Sequence, residues 1–98
     1  MNKFTKITAS IGPNCEDYET LTQMILAGVN MCRLNFSHDT GDVQGKKIDM
    51  IREISSELNM PVAIMIDLQG PKHRIGNFAT EDKYPLTIGQ KFTFDTNP

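Results

Sequence analysis

Polar and apolar residues alternate from Lys6 to Ile11, and the alternation stops at Gly12-Pro13, the mark of a strand running into a turn. The period then lengthens. Tyr18, Leu21, Met24 and Ile25 fall on one side of a helix predicted over 18–27, with Asp17 placed to cap its start and Gly28 to stop it. Val29 to Phe36 reads as a second strand. Polar Asp39-Thr40-Gly41-Asp42 opens a second helix, which carries Ile48, Ile51, Ile54 and Leu58 at helical spacing and closes at Asn59, ahead of Pro61. From Pro61 to Asp67 the chain is almost wholly apolar, as expected of a buried strand in a parallel sheet.

Strands and helices alternating at this length predict an α/β fold of right-handed βαβ units on a parallel sheet. After Arg74 the character changes. Tyr84 to Ile88 and Lys91 to Phe94 read as short strands joined by Gly89-Gln90, which sets a boundary near 75–79 and divides the chain into 1–75 and 76–98. The chain ends at Asn97-Pro98, directly after a predicted strand with nothing downstream to pair it, and this has the look of a truncation.

Composition narrows the function. Ninety-eight residues make one small domain and not two. Ten Lys+Arg against twelve Asp+Glu leave a formal charge of −2. No general basic field draws nucleic acid or an anionic membrane, so any anion must be gripped by a few local groups. No apolar run is long enough to span a membrane, and Met1 to Lys6 leads into a strand, not an export signal. Cys15 and Cys32 cannot make a disulfide framework and read as reduced thiols of a cytoplasmic protein, Cys32 as core packing.

In parallel α/β folds ligands bind where the strands end. Arg33, Asn35 and Ser37 alternate with Leu34 and Phe36, so a period of two aligns an arginine, an amide and a hydroxyl on one face. Such groups on a buried strand are costly unless they are paired or bind something. Asp67 ends the third strand, and the turn Leu68-Gln69-Gly70-Pro71 is expected to bring Lys72 and Arg74 back to the same rim. Oxygens from Asn35, Ser37 and Asp67 suit a hard cation; Arg33, Lys72 and Arg74 suit phosphate oxygens. Cations and anions handled together point to phosphoryl transfer. Spacing alone equally allows Arg33 and Asp67 to pair with each other across neighbouring strands. His38, taken singly, reads as a helix-capping or surface histidine.

Thr5 to Pro13, Ala27-Gly28-Val29-Asn30, Arg33-Leu34-Asn35-Phe36-Ser37-His38 and Asp67 to Arg74 match, in order and spacing, the opening of pyruvate kinase, which the chain resembles over nearly its whole length. The resemblance implies a (β/α)8 (TIM) barrel, of which residues 1–75 hold the first three units, and an inserted β-rich lid domain that begins at 76–98. It implies transfer of phosphoryl from phosphoenolpyruvate to ADP, giving pyruvate and ATP in glycolysis, with magnesium or manganese (Mg2+ or Mn2+). In that likeness Arg33 binds the phosphate of phosphoenolpyruvate. Asn35, Phe36, Ser37, His38 and Arg74 meet the nucleotide. Asn35, Ser37, Asp67 and Leu68 belong to the monovalent-cation site. The family's catalytic lysine and divalent-metal carboxylates have no counterpart here.

The third-strand motif departs from the commoner family pattern of Asp-Thr-Lys-Gly-Pro-Glu followed by Arg-Thr. Leu68, Gln69, Lys72 and Ile75 differ together, which resembles the potassium-independent branch of the family. Lys72, standing where a carboxylate is usual, is expected to supply the fixed positive charge that K+ otherwise brings. The resemblance also implies a homo-oligomeric parent, whereas the 98 residues alone are expected to self-associate and to lack turnover. A folded piece with no catalytic role at all is the alternative.

Overall fold

A computed structural model of the chain describes residues 3–37, 39–79 and 83–96. Strands β1 (Thr8–Ser10), β2 (Met31–Asn35) and β3 (Ala63–Asp67) alternate with helices α1 (Tyr18–Leu26) and α2 (Gly41–Glu57).

The ends of α1 are set by the residues the sequence marks. The Asp17 side chain accepts from the Thr20 backbone N–H at 2.9 Å, satisfying one of the amides a helix start leaves unpaired. At the other end the N–H of Gly28 reaches the carbonyl of Ile25 at 3.0 Å and that of Val29 reaches Met24 at 3.1 Å. This is a Schellman closure, with Gly28 at φ +117°, where a side chain is strained. Helix α2 closes the same way without a glycine. Asn59, at φ +48°, donates to Ser56 at 3.2 Å, and Met60 donates to Ser55 at 3.1 Å. Asparagine tolerates that left-handed turn better than most residues.

The sheet is parallel in the order β1-β2-β3, with Ser10 beside Arg33, Arg33 beside Met65 and Asn35 beside Asp67. Alternation along β2 divides it into two faces. Cys32 and Leu34 are buried with Leu21 and Ile25 of α1, Ile51 and Ile54 of α2, and Ile11, and these form the core. Met31, Arg33 and Asn35 occupy the opposite face, only partly buried.

Three sequence expectations change. Strand β3 reads as a buried parallel strand, yet Ala63, Met65 and Ile66 are exposed, because β3 is an edge with one neighbour and only its Ile64 packs against the core among the described residues. The buried stripe of α2 runs Gln44, Lys47, Ile51 and Ile54, so its first half is polar, while Ile48 and Leu58 are only partly buried.

The third change concerns the stretches 84–88 and 91–94, which form no strand. Two short strands without a third, or a helix to cover them, seldom hold a ladder. What does form is the expected turn. Gln90 donates to the Thr87 carbonyl at 3.1 Å, with Gly89 at φ +83°. Phe78, Tyr84, Phe92 and Phe94 stack in a chain with ring centres 5.1 to 5.9 Å apart. Part of the 76–98 stretch, including its terminal Asn97-Pro98, lies outside the described residues.

Candidate functional site

Arg33 is held across all three strands. Its Nε donates to Asp67 Oδ2 at 3.0 Å, its Nη2 donates to the same oxygen, and its Nη1 donates to Ser10 Oγ at 3.0 Å. Register explains the clamp: Ser10 is Arg33's lateral neighbour on β1, and Asp67 lies two residues past its neighbour on β3. The ion pair that spacing allowed therefore forms.

It does not use up the arginine. A guanidinium carries five N–H donors, of which these contacts take three. The side chains of Arg33 and Asp67 remain 32% and 40% exposed, so the pair is solvated and adds at most about 1 kcal/mol of stability. Its consequence is geometric. The guanidinium plane is fixed at the carboxyl end of the sheet with donors to spare, the arrangement a phosphate needs.

The chain beyond β2 is shaped by Asn35. Its Oδ1 accepts from the Ser37 N–H at 3.0 Å, turning the backbone back on itself, and Phe36 donates to the Asp67 carbonyl at 3.1 Å. Ser37 is partly buried beside this turn. His38 lies outside the described residues.

Lys72 and Arg74 are brought to no partner. Both are exposed on a stretch without helix or strand, and neither makes a hydrogen bond or ion pair with a described residue. Leu68 is exposed as well. The expected approach of Lys72 to Asn35, Ser37 and Asp67 is thus not realised in this geometry, where no described residue bonds Lys72 back to the strand ends. The oxygens that a monovalent cation would use are not exhausted: Asp67 Oδ1 and the Ser37 hydroxyl accept from no described residue, and the Asn35 amide oxygen keeps a lone pair. No group of three or more His, Cys, Asp or Glu among the described residues is placed to hold a metal ion.

Polarity patterning missed two residues beneath the site. Gln44 is fully buried and its Nε2 donates to the Asn35 carbonyl at 2.9 Å. Its Oε1 has no partner among the described residues. Lys47, 5% exposed, bridges Asp39 Oδ2 at 2.8 Å and Glu16 Oε2 at 3.1 Å. The hydrogen bond to Asp39 foremost, with Glu16 adding to it, raises the Lys47 pKa above the ordinary lysine value despite the opposing effect of burial. The signal was present: 44, 47, 51 and 54 share one helical stripe, and the last two are isoleucines.

Residues 2–98 match the family model described as pyruvate kinase, barrel domain. The chain is 44% identical over 95 residues to pyruvate kinase 2 of Synechocystis, covering 96% of this chain and 16% of that protein. It is 43% identical over 93 residues to pyruvate kinase II of Salmonella typhimurium, covering 95% of this chain and 19% of that one. The structure is similar to the crystal structure of a pyruvate kinase from Cryptosporidium parvum, with a TM-score of 0.66 and 38% identity over 68% of this chain and 14% of the other. The chain thus spans less than a fifth of the length of these relatives.

Proposed function

The chain belongs to the pyruvate kinase family, and we propose that it forms the phosphate-gripping strand ends of an enzyme transferring phosphoryl from phosphoenolpyruvate to ADP. The observation that carries this is Arg33, tied across β1, β2 and β3 with donors left over for an anion. In this reading β1 to β3 are the first strands of a (β/α)8 barrel, residues 76–98 begin the inserted lid, and the protein is a cytoplasmic, homo-oligomeric glycolytic enzyme. Arg33 takes the phosphate of phosphoenolpyruvate; Asn35 to His38 and Arg74 meet the nucleotide. Mg2+ or Mn2+ is held by residues outside these 98. Positioning and charge neutralisation carry most of such a reaction, which is why a fixed guanidinium matters.

Lys72, exposed on its loop, takes the place of the monovalent cation, and Asn35, Ser37 and Asp67 keep oxygens that accept from its ammonium or from a water. The K+ requirement is thereby relieved.

The test is turnover. The complete gene product, assayed with phosphoenolpyruvate, ADP and Mg2+ in potassium-free buffer, is expected to make pyruvate. Arg33→Lys, which keeps the charge and loses the fork, should lower kcat/KM for phosphoenolpyruvate about 10²-fold. Absence of turnover with or without potassium would refute the enzyme reading. Turnover only with potassium would refute the role given to Lys72. The second reading, a non-catalytic piece that self-associates, is favoured by the uncovered edge β3. It predicts that the 98 residues by themselves bind copies of themselves and show no turnover.

A further inference from the structure

Lys47 is the one charged side chain buried among the described residues, and the phosphoryl chemistry proposed above does not use it. Its two carboxylate partners come from different places. Glu16 lies in the loop between β1 and α1, immediately before the cap residue Asp17; Asp39 lies in the loop between β2 and α2, two residues past Ser37. Both loops stand at the carboxyl ends of their strands, on the rim where Arg33 is clamped.

Other ties to this rim are few. Thr40, the cap residue of α2, makes no side-chain bond to the helix start, so Asp39 and Thr40 are not fixed by the helix's own cap. Two side chains from the first turns of α2 hold the loop instead: Gln44, bonded to the Asn35 carbonyl at 2.9 Å, and Lys47, bonded to Asp39 at 2.8 Å. Only Lys47 reaches onward to the first loop, at 3.1 Å from Glu16.

We infer that Lys47 is a positioning residue that locks the β1–α1 and β2–α2 loops into one unit and thereby sets the nucleotide-facing residues Asn35 to Ser37. This rests on the nucleotide assignment made under the proposed function. Arg33 is fixed independently, through Ser10 and Asp67 on the other face of the sheet. Loss of Lys47 should therefore disturb ADP and leave phosphoenolpyruvate alone. A residue that merely supported the fold would disturb both.

Lys47→Met keeps the buried stem and removes the charge. The partners it abandons are solvent-accessible, with side chains 45% and 38% exposed, so no buried charge is stranded and the variant should fold. In the complete gene product, amide hydrogen exchange in 12–16 and in 36–40 should quicken together, by roughly tenfold. The KM for ADP should rise about tenfold while the KM for phosphoenolpyruvate and kcat stay within roughly twofold. Lys47→Arg should restore both readouts. Should Lys47→Met not fold, Glu16→Gln cuts the link to the first loop while Asp39 still pairs the buried ammonium, and it is read the same way. Faster exchange in one loop alone, in neither, or a KM change shared equally by the two substrates would overturn the assignment. If the unmodified protein makes no pyruvate, the enzyme reading falls, and the exchange measurement still decides whether Lys47 couples the loops.

Discussion

Tyr18 shows how one contact converts into a measurable titration. Its hydroxyl, at the start of α1, donates to the Glu57 carboxylate at the end of α2. That bond foremost, with some desolvation and the negative charge of Glu57, holds its pKa up from 10.0 to about 12. The folded chain thus keeps this proton more tightly than the unfolded one. The contact contributes fully below pH 10, and its contribution is lost as pH rises from 10 towards 12. With Tyr84→Phe removing the only other phenol, tyrosinate absorbance should titrate near pH 12 and fall back towards 10 in Glu57→Gln; an unchanged midpoint in that variant would sink the assignment. Legibility at this scale followed chemistry. Asp17 was readable as a cap because a short-range rule governs it, whereas Arg33 and Asp67, 34 residues apart, were readable as a pair only as one of two alternatives that neighbouring strand ends allow. Lys47 shares the stripe of Ile51 and Ile54 but was passed over, since a lysine near the start of a helix ordinarily faces water and the two carboxylates that make its burial tolerable come from separate loops.

At the scale of elements, the two Schellman closures make opposite demands on substitution. At Gly28 an added Cβ would come within 2.9 Å of Lys3 Nζ, the far end of a flexible side chain that can move away. Backbone strain at φ +117° is therefore the main cost, and Gly28→Ala should lower stability by about 1–2 kcal/mol in urea unfolding. Asn59→Gly, at φ +48°, should be neutral or stabilising by up to about 1 kcal/mol, because glycine enters that region freely. Equal losses at both positions would contradict this account of the helix ends. Core truncation sets the comparison: Leu21→Ala, at a fully buried position, should cost about 2–5 kcal/mol. Both helices and all three strands were legible as elements because their periodicity and stop signals are local. The stretches 84–88 and 91–94 misled because alternation reports what a segment can pair with, and a strand exists only where a partner is present.

For the whole molecule, the uncovered surfaces carry the strongest consequence. Helices α1 and α2 bury one face of the sheet, while Ala63 and Met65 on the other face, and Ile66 on the helix side of the edge strand, stand exposed. The relatives are about five to six times longer than this chain, and an edge left unpaired in the isolated 98 residues can find a neighbour only in another copy. The 98-residue polypeptide should accordingly self-associate at roughly tens of micromolar, as light scattering would reveal. Met65→Glu tests the cause. On an exposed face it places charge where copies would meet, so it should shift the isolated chain towards monomer without lowering its melting temperature. In the complete gene product the same residue would line a closed barrel. There an unpaired carboxylate among packed side chains should cost several kcal/mol and lower the melting temperature sharply. The two outcomes have opposite signs for one substitution, and both follow from whether β3 has a neighbour. An isolated chain that remains monomeric, or a complete protein indifferent to Met65→Glu, would mean that this face is not where the rest of a barrel attaches.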